Sequence, residues 1–386
     1  MFNLTSANRV SSYSSPRANE GVEERLNVSL SRNEGRAILC STVGKGRVSA
    51  FFILITVCTS LFAGNNITLR KQKNLAKWNV VGANYSGIAH IGGDTYAVVD
   101  DKDAKHTFRL FSIDVDSEKG KVKRASIYKE VGESHGVSDA EGIAYVPSRN
   151  TLFVSDEANQ RVVEYTTEGV PTGRKLAVPK AFGKDAIYGN YGFEALTYSE
   201  ADHCLWTVTE HTLKADGVKA MPGDTAGCVL RLLAFDDQTL EPVRQYAYRL
   251  DAPRAKKKGR NYAYGVSALC ALDDGSVLVM EREFHVAKRY LGSWVRHKIY
   301  RVVPSASQQI GDSLPPSAYM NKTLVAKINT HLDIVRHNLA NYEGMCLGSR
   351  LADGSQVLIL ISDSQNNYGN SFYRMKDYVK ILIIDN

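Results

Sequence analysis

One hairpin recurs five times between Ser86 and Asp363, and this recurrence constrains the fold more than any other feature of the chain. The copies open on Ser86-Gly-Ile-Ala, Glu141-Gly-Ile-Ala, Glu194-Ala-Leu-Thr, Ser267-Ala-Leu-Cys and Glu343-Gly-Met-Cys. They close on Asp100, Asp156, Glu210, Glu281 and Asp363. A turn falls near the middle of each copy, as at Ile91-Gly-Gly-Asp94 and Asp273-Asp-Gly275. A strand that reverses at its centre brings its two ends together. Each copy is therefore expected to set its first residue beside its last carboxylate. A third apolar run follows each hairpin, such as Arg161-Val-Val-Glu-Tyr165 or Val379-Lys-Ile-Leu-Ile-Ile384, and in places a fourth, such as Arg244 to Leu250. These runs are rich in β-branched and aromatic residues, as strands are. Copies begin roughly 53 to 76 residues apart. Three or four strands per unit, with no helical stripe between them, read as an all-β propeller. Six blades are expected, with the run Lys322 to Ile328 as part of a degenerate sixth; five is the alternative. Trp78-Asn-Val-Val81 is expected to close the ring as the outer strand of the last blade.

In a propeller the first strand of each blade lines the channel, and its start shares a face with the end of the second. Glu141, Glu194 and Glu343, together with Asp100, Asp156, Glu210, Glu281 and Asp363, are thus expected around one channel mouth as metal ligands. Like charges brought together repel, and burial raises the cost. A cation relieves it, and oxygen-only sites suit hard ions, so Ca²⁺ is the expected cofactor, with Mg²⁺ as the other candidate. The competing reading has each carboxylate merely bonding backbone amides in its own turn. Two neighbours are candidate catalytic residues: Arg282, whose guanidinium can grip phosphate in a fork, and His211, as acid or base. Arg282 paired with Glu283, and His211 as a plain loop histidine, are the structural alternatives. No Gly-x-Ser-x-Gly elbow and no phosphate-binding Gly-x-x-x-x-Gly-Lys loop occurs, which argues against a serine hydrolase and a nucleotide enzyme.

The net charge is +7, and the basic cluster Arg254 to Arg260 reads as a solvated loop. No basic face with interleaved aromatics points to nucleic acid. Residues 1–44 are polar and read as a disordered or non-native extension. Residues 45–64 carry the only long apolar run, Val48 to Ala63, preceded by Lys45 and Arg47, in the layout of a signal peptide or an uncleaved membrane anchor. Initiation at Val43 would give a signal of ordinary shape; lipidation at Cys58 is a weaker alternative. The propeller, taken as 75–386, is expected to be exported to a periplasmic or extracellular space as a monomer, touching a membrane only through that segment. Cys204 and Cys228 are expected to stay unpaired, because the hairpin would set Cys204 opposite about Leu233, out of reach of Cys228.

Four segments go beyond a generic propeller: Asp139-Ala-Glu141-Gly-Ile-Ala, Asn190-Tyr-Gly-Phe-Glu194-Ala-Leu-Thr, Val277 to Glu283, and Asn341-Tyr-Glu343-Gly-Met with Val357 to Asp363. In order and spacing they resemble the phytase-like domain family, whose members carry the label "esterase-like activity of phytase", over about Ser86 to Asn386. The resemblance implies an exported β-propeller that hydrolyses phosphoesters or other esters of small molecules. By analogy, β-propeller phytases hold Ca²⁺ with channel-mouth carboxylates, and Glu141 resembles in type and place the metal-holding Glu of gluconolactonase-like propellers. A non-catalytic binding propeller with a structural ion is the alternative, its tyrosines Tyr262, Tyr264, Tyr342, Tyr368 and Tyr373 serving ligand stacking.

Overall fold

The computed structural model describes residues 67–103, 105–133, 139–314, 317–369 and 373–385. Strands β1 (Ile67–Leu69) and β2 (Lys73–Asn74) lead into the first repeat. Four blades follow in chain order, each an antiparallel sheet whose strands lie in sequence from first to last. The first holds β3 (Tyr85–Gly92), β4 (Thr95–Asp100), β5 (Phe108–Val115) and β6 (Val122–Val131); the second, β7 (Ala140–Val146), β8 (Thr151–Asp156), β9 (Arg161–Thr166) and β10 (Pro171–Lys175). The third holds β11 (Phe193–Ser199), β12 (Cys204–Thr209), β13 (Val229–Asp236) and β14 (Pro242–Arg249). The fourth holds β15 (Asn261–Ala271), β16 (Val277–Ala287), β17 (Tyr290–Val302) and β18 (Lys322–Leu332). The fifth is built from β19 (Asn341–Leu347), β20 (Gln356–Asp363) and β21 (Tyr378–Ile384). Its outer place is filled from the start of the chain, because β1 and β2 both pair antiparallel with β21.

The propeller therefore has five blades, not six. The run Lys322 to Ile328 belongs to β18, which pairs along β17 as the outer strand of blade four. The extra length of that repeat goes into long strands and into an excursion whose Gln309 and Tyr319 bridge to β14 of blade three. Closure also differs from expectation. Leu75–Trp78 is a 3-10 turn whose N-cap Asn74 accepts from the Ala76 amide at 3.0 Å, so the closing strands lie upstream of residue 75. The apolar run Val48 to Ala63 and the polar extension before it lie outside the described residues. Among the described residues no helix is long and apolar enough to cross a membrane.

The five first strands pack side by side into a closed inner ring: β3 meets β7, β7 meets β11, β11 meets β15, β15 meets β19, and β19 returns to β3. The glycine after the opening residue of three copies, Gly87, Gly142 and Gly344, follows from how close these strands run. A Cβ on Gly142 would lie 2.8 Å from the Leu196 backbone nitrogen of the next blade, and one on Gly87 would lie 2.5 Å from the Glu141 carbonyl. Between blades the sheets bury apolar faces, as where Trp206, Leu232 and Tyr248 of blade three pack with Val266 and Val279 of blade four.

Candidate functional site: a ring of carboxylates at the bulged ends of the inner strands

Each hairpin carries a β-bulge at the same place. The register shifts between Tyr85 and Ile88, Ala140 and Ile143, Phe193 and Ala195, Val266 and Ala268, and Tyr342 and Gly344. The shift spans Ser86, Glu141, Glu194, Ser267 and Glu343, and a bulge re-aims the side chains it contains. Just before each bulge the paired residues are Tyr85 with Asp100, Ala140 with Asp156, Phe193 with Thr209, Val266 with Glu281 and Tyr342 with Ser362. Side chains alternate along a strand. The residues one step beyond, Asp101, Glu157, Glu210, Arg282 and Asp363, therefore form an equivalent set, at or just past the end of the second strands except in blade four, where Arg282 lies within the longer β16.

This corrects part of the sequence reading. Asp100, Asp156 and Glu281 belong to the other face. Asp100 pairs with Arg109 at 2.5 Å and Asp156 with Arg161 at 2.8 Å. Glu281 accepts from the Tyr248 hydroxyl at 2.8 Å and from Lys322 at 2.6 Å. Each has its charge met locally and away from the set above. Asp101 and Glu157 take their places, and the sequence reading passed over both. The local sequence hides them: Ser155-Asp156 repeats the hydroxyl-acid pattern of Thr209-Glu210 and Ser362-Asp363, and only the pairing register across the bulge selects Asp101 and Glu157.

The carboxylates converge. Ligand oxygens of Asp101, Asp139 and Glu141 lie within 4.8 Å of one another, and so do those of Glu141, Glu157 and Glu194. These two groups, sharing Glu141, could hold a metal ion. Glu157 is steadied by the Asn190 side-chain amide, donating at 2.5 Å, and by the Gly192 amide at 2.7 Å. Burial first, then Asp101, Glu157 and Asp139, pushes the Glu141 carboxyl well above the usual range. Burial, then Glu141 and Glu210, does the same to Glu194. Glu157 is pushed up to about 8 by burial and then by Glu210, and Asp101 to about 6 by burial. Burial likewise holds Asp363 well above the ordinary value, although it accepts the Gln365 amide at 2.5 Å.

Two cations answer these acids. Arg282, 5 % exposed, donates to Glu343, to Glu210 at 2.5 Å, and stands 3.6 Å from Glu194. It is thus bound to ring carboxylates rather than to Glu283, which takes Arg296 at 2.7 Å and the amides of Arg254 and Ala255. Lys102 pairs with Asp101 at 2.6 Å and Asp139 at 2.8 Å. Two buried polar atoms at the ring have no partner among the described residues: Arg282 Nε and Asn341 Oδ1, the latter on an amide that donates to Glu343 at 2.8 Å. A narrow cavity of about 10 Å³ lies against the ring and is lined from all five inner strands, including Glu141, Glu194 and Glu343.

His211 does not join this group. Its Nδ1 accepts the Thr212 amide at 2.9 Å and lies 3.5 Å from the Cys228 sulfur, while burial and the nearby Lys219 push its pKa down to about 4. Its ring is neutral, with the proton on Nε2. Cys204, Cys228, Cys270 and Cys346 are free thiols, as expected, although Cys204 pairs opposite Asp236 rather than Leu233. Of the tyrosines considered for stacking, Tyr264 and Tyr342 are buried in the core, and Tyr262, Tyr368 and Tyr373 are half-buried.

A family model described as phytase-like, "esterase-like activity of phytase", matches residues 81–368. No curated protein matches the sequence. Among solved structures, a streptogramin B lyase is similar at 11 % identity and TM-score 0.33, covering 82 % of this chain and 98 % of that one. A member of the DUF4221 family from Bacteroides vulgatus is similar at 14 % identity and TM-score 0.35, covering 83 % and 98 %. An endo-1,4-beta-xylanase structure from Bacteroides thetaiotaomicron is similar at 13 % identity and TM-score 0.39, covering 78 % and 92 %.

Proposed function

Since the chain belongs to the phytase-like family, we propose that it is an exported, divalent-cation-dependent hydrolase of phosphoesters or other small-molecule esters, working at the carboxylate ring. The observation that carries this reading is the crowding of buried carboxylates around Glu141 with fewer cations than acids to answer them. Asp101, Asp139 and Glu141, or Glu141, Glu157 and Glu194, would hold an ion, and an all-oxygen donor set favours Ca²⁺ over softer metals. When bound, such an ion polarises an ester or phosphoryl oxygen and lowers the pKa of water. Arg282 holds Glu194, Glu210 and Glu343 in place and offsets their charge. It is a positioning residue, its guanidinium taken up before any substrate arrives. His211, tied to the Thr212 amide, receives no proton-transfer step.

Narrowness favours a second reading. The cavity of about 10 Å³ against the ring has no room for a substrate, which suits a structural ion in a binding propeller. Chelation separates the two. Protein stripped with EDTA and refilled with Ca²⁺ is expected to regain turnover of 4-nitrophenyl phosphate or 4-nitrophenyl acetate. A melting temperature that follows Ca²⁺ while no ester turns over would replace the hydrolase with the binding propeller.

A further inference from the structure

An anionic ester approaching a ring of carboxylates is repelled unless a cation meets it. Both side-chain cations of the ring already carry carboxylate partners, Arg282 buried and Lys102 exposed. Arg282 is held between Glu210, Glu194 and Glu343, and Lys102 between Asp101 and Asp139. A third cation stands at the rim. The segment Asn190-Tyr191-Gly192 is fastened over the ring from both sides. Asn190 and Gly192 donate to Glu157 at 2.5 and 2.7 Å, and the Glu210 amide donates to the Gly192 carbonyl at 2.7 Å. That leaves Tyr191 directly beside the carboxylates. The Lys219 ammonium lies 4.3 Å from the Tyr191 ring centroid and 5.8 Å from that of Tyr188. Its field reaches both Glu210 and His211. Among the described residues no carboxylate is ion-paired with Lys219, and it is half-exposed. An ammonium held on aromatic faces keeps donors free for an incoming anion.

We propose that Lys219, steadied on Tyr191 and Tyr188, selects anionic over neutral esters by receiving a phosphate or carboxylate group at the rim. The proposal rests on the hydrolase reading, and it assigns to Lys219 the anion-gripping role that the sequence suggested for Arg282. The site needs only a point charge, so Lys219→Arg should retain it and Lys219→Met should lose it.

The test combines kinetics with direct binding on the full chain. The kcat/KM ratio of 4-nitrophenyl phosphate to 4-nitrophenyl acetate is expected to fall about tenfold or more in Lys219→Met, the worth of a hydrogen bond to a charged group, and to hold in Lys219→Arg. Calorimetric affinity for inorganic phosphate, with and without Ca²⁺, should fall by a similar factor; acetate titrated in parallel shows whether a carboxylate is gripped as well. An unchanged ratio and unchanged phosphate affinity in Lys219→Met, with the wild type active, would overturn the role of Lys219 and leave the hydrolase standing. No turnover in the wild type, with phosphate binding that still depends on Lys219, would overturn the hydrolase and keep the anion site. A wild type that neither turns over ester nor binds phosphate would overturn both.

Discussion

Arg282 and Glu141 sit in one ring and should respond to substitution with opposite signs. Arg282→Met leaves Glu194, Glu210 and Glu343 buried without their shared counter-charge. Removing one partner of a buried ion pair costs about 3–5 kcal/mol, and urea denaturation in EDTA at neutral pH should read a loss of that order. Stability unchanged from wild type would mean those glutamates are already neutral. Glu141→Gln removes a charge whose neighbours are themselves acidic. The stripped variant should melt no lower than stripped wild type, while losing most of the shift that Ca²⁺ gives. The sequence carried Glu141, Glu194, Glu210, Glu343 and Asp363 into the ring because they recur at one slot or at the next strand's end. It misplaced Asp100, Asp156 and Glu281 because a strand alternates with period two, and a one-residue slip in aligning the copies turns each side chain to the opposite face. Arg282 drew attention as a neighbour of Glu281, but its binding to three acids is a tertiary fact that no local pattern encodes.

Hairpins were legible because their strands are long and apolar and their turns are marked, as at Asp273-Asp-Gly275, where Gly275 has φ +77°. The outer strands were legible only in part: the runs Arg244 to Leu250 and Lys322 to Ile328 mark β14 and β18, but other outer strands carry no such sign. Strand β10 is Pro171-Thr-Gly-Arg-Lys175 and shows almost no apolar face, and β1 is three residues long. Such strands owe their existence to a waiting edge rather than to their own composition. Closure by β1 and β2 makes a further prediction. A chain begun at Leu75, the boundary that composition suggests, would leave the outer edge of β21 open, and an open edge invites aggregation. That truncation should be largely insoluble, whereas a chain begun at Asn66 should be soluble; equal solubility would show that β1 and β2 are dispensable. The inner ring is the most tightly fitted part. Gly142→Ala would press a Cβ against Leu196 and should cost about 1–3 kcal/mol by overpacking, read as a lower denaturation midpoint.

Across the whole molecule the same charge crowding sets how stability follows pH. Burial raises Glu157 to about 8, Asp377 to about 7 and Asp101 to about 6, and holds Glu141, Glu194 and Asp363 well above their ordinary values. In the unfolded chain carboxyls titrate near pH 4. Between those limits the folded protein binds more protons than the unfolded one, so the metal-free protein should lose stability as pH rises from about 4 to about 8. A bound divalent ion competes with those protons, and saturating Ca²⁺ should flatten the fall. Melting curves across that range, with EDTA and with Ca²⁺, read both effects. The central claim, that the crowded carboxylates are a cation site, is tested most directly by calorimetric titration of Ca²⁺ into stripped wild-type protein and into Glu141→Gln. Saturable binding with proton release near neutral pH in the wild type, strongly weakened in Glu141→Gln, is the predicted result. No binding heat in the wild type, or equal binding in the two proteins, would contradict it.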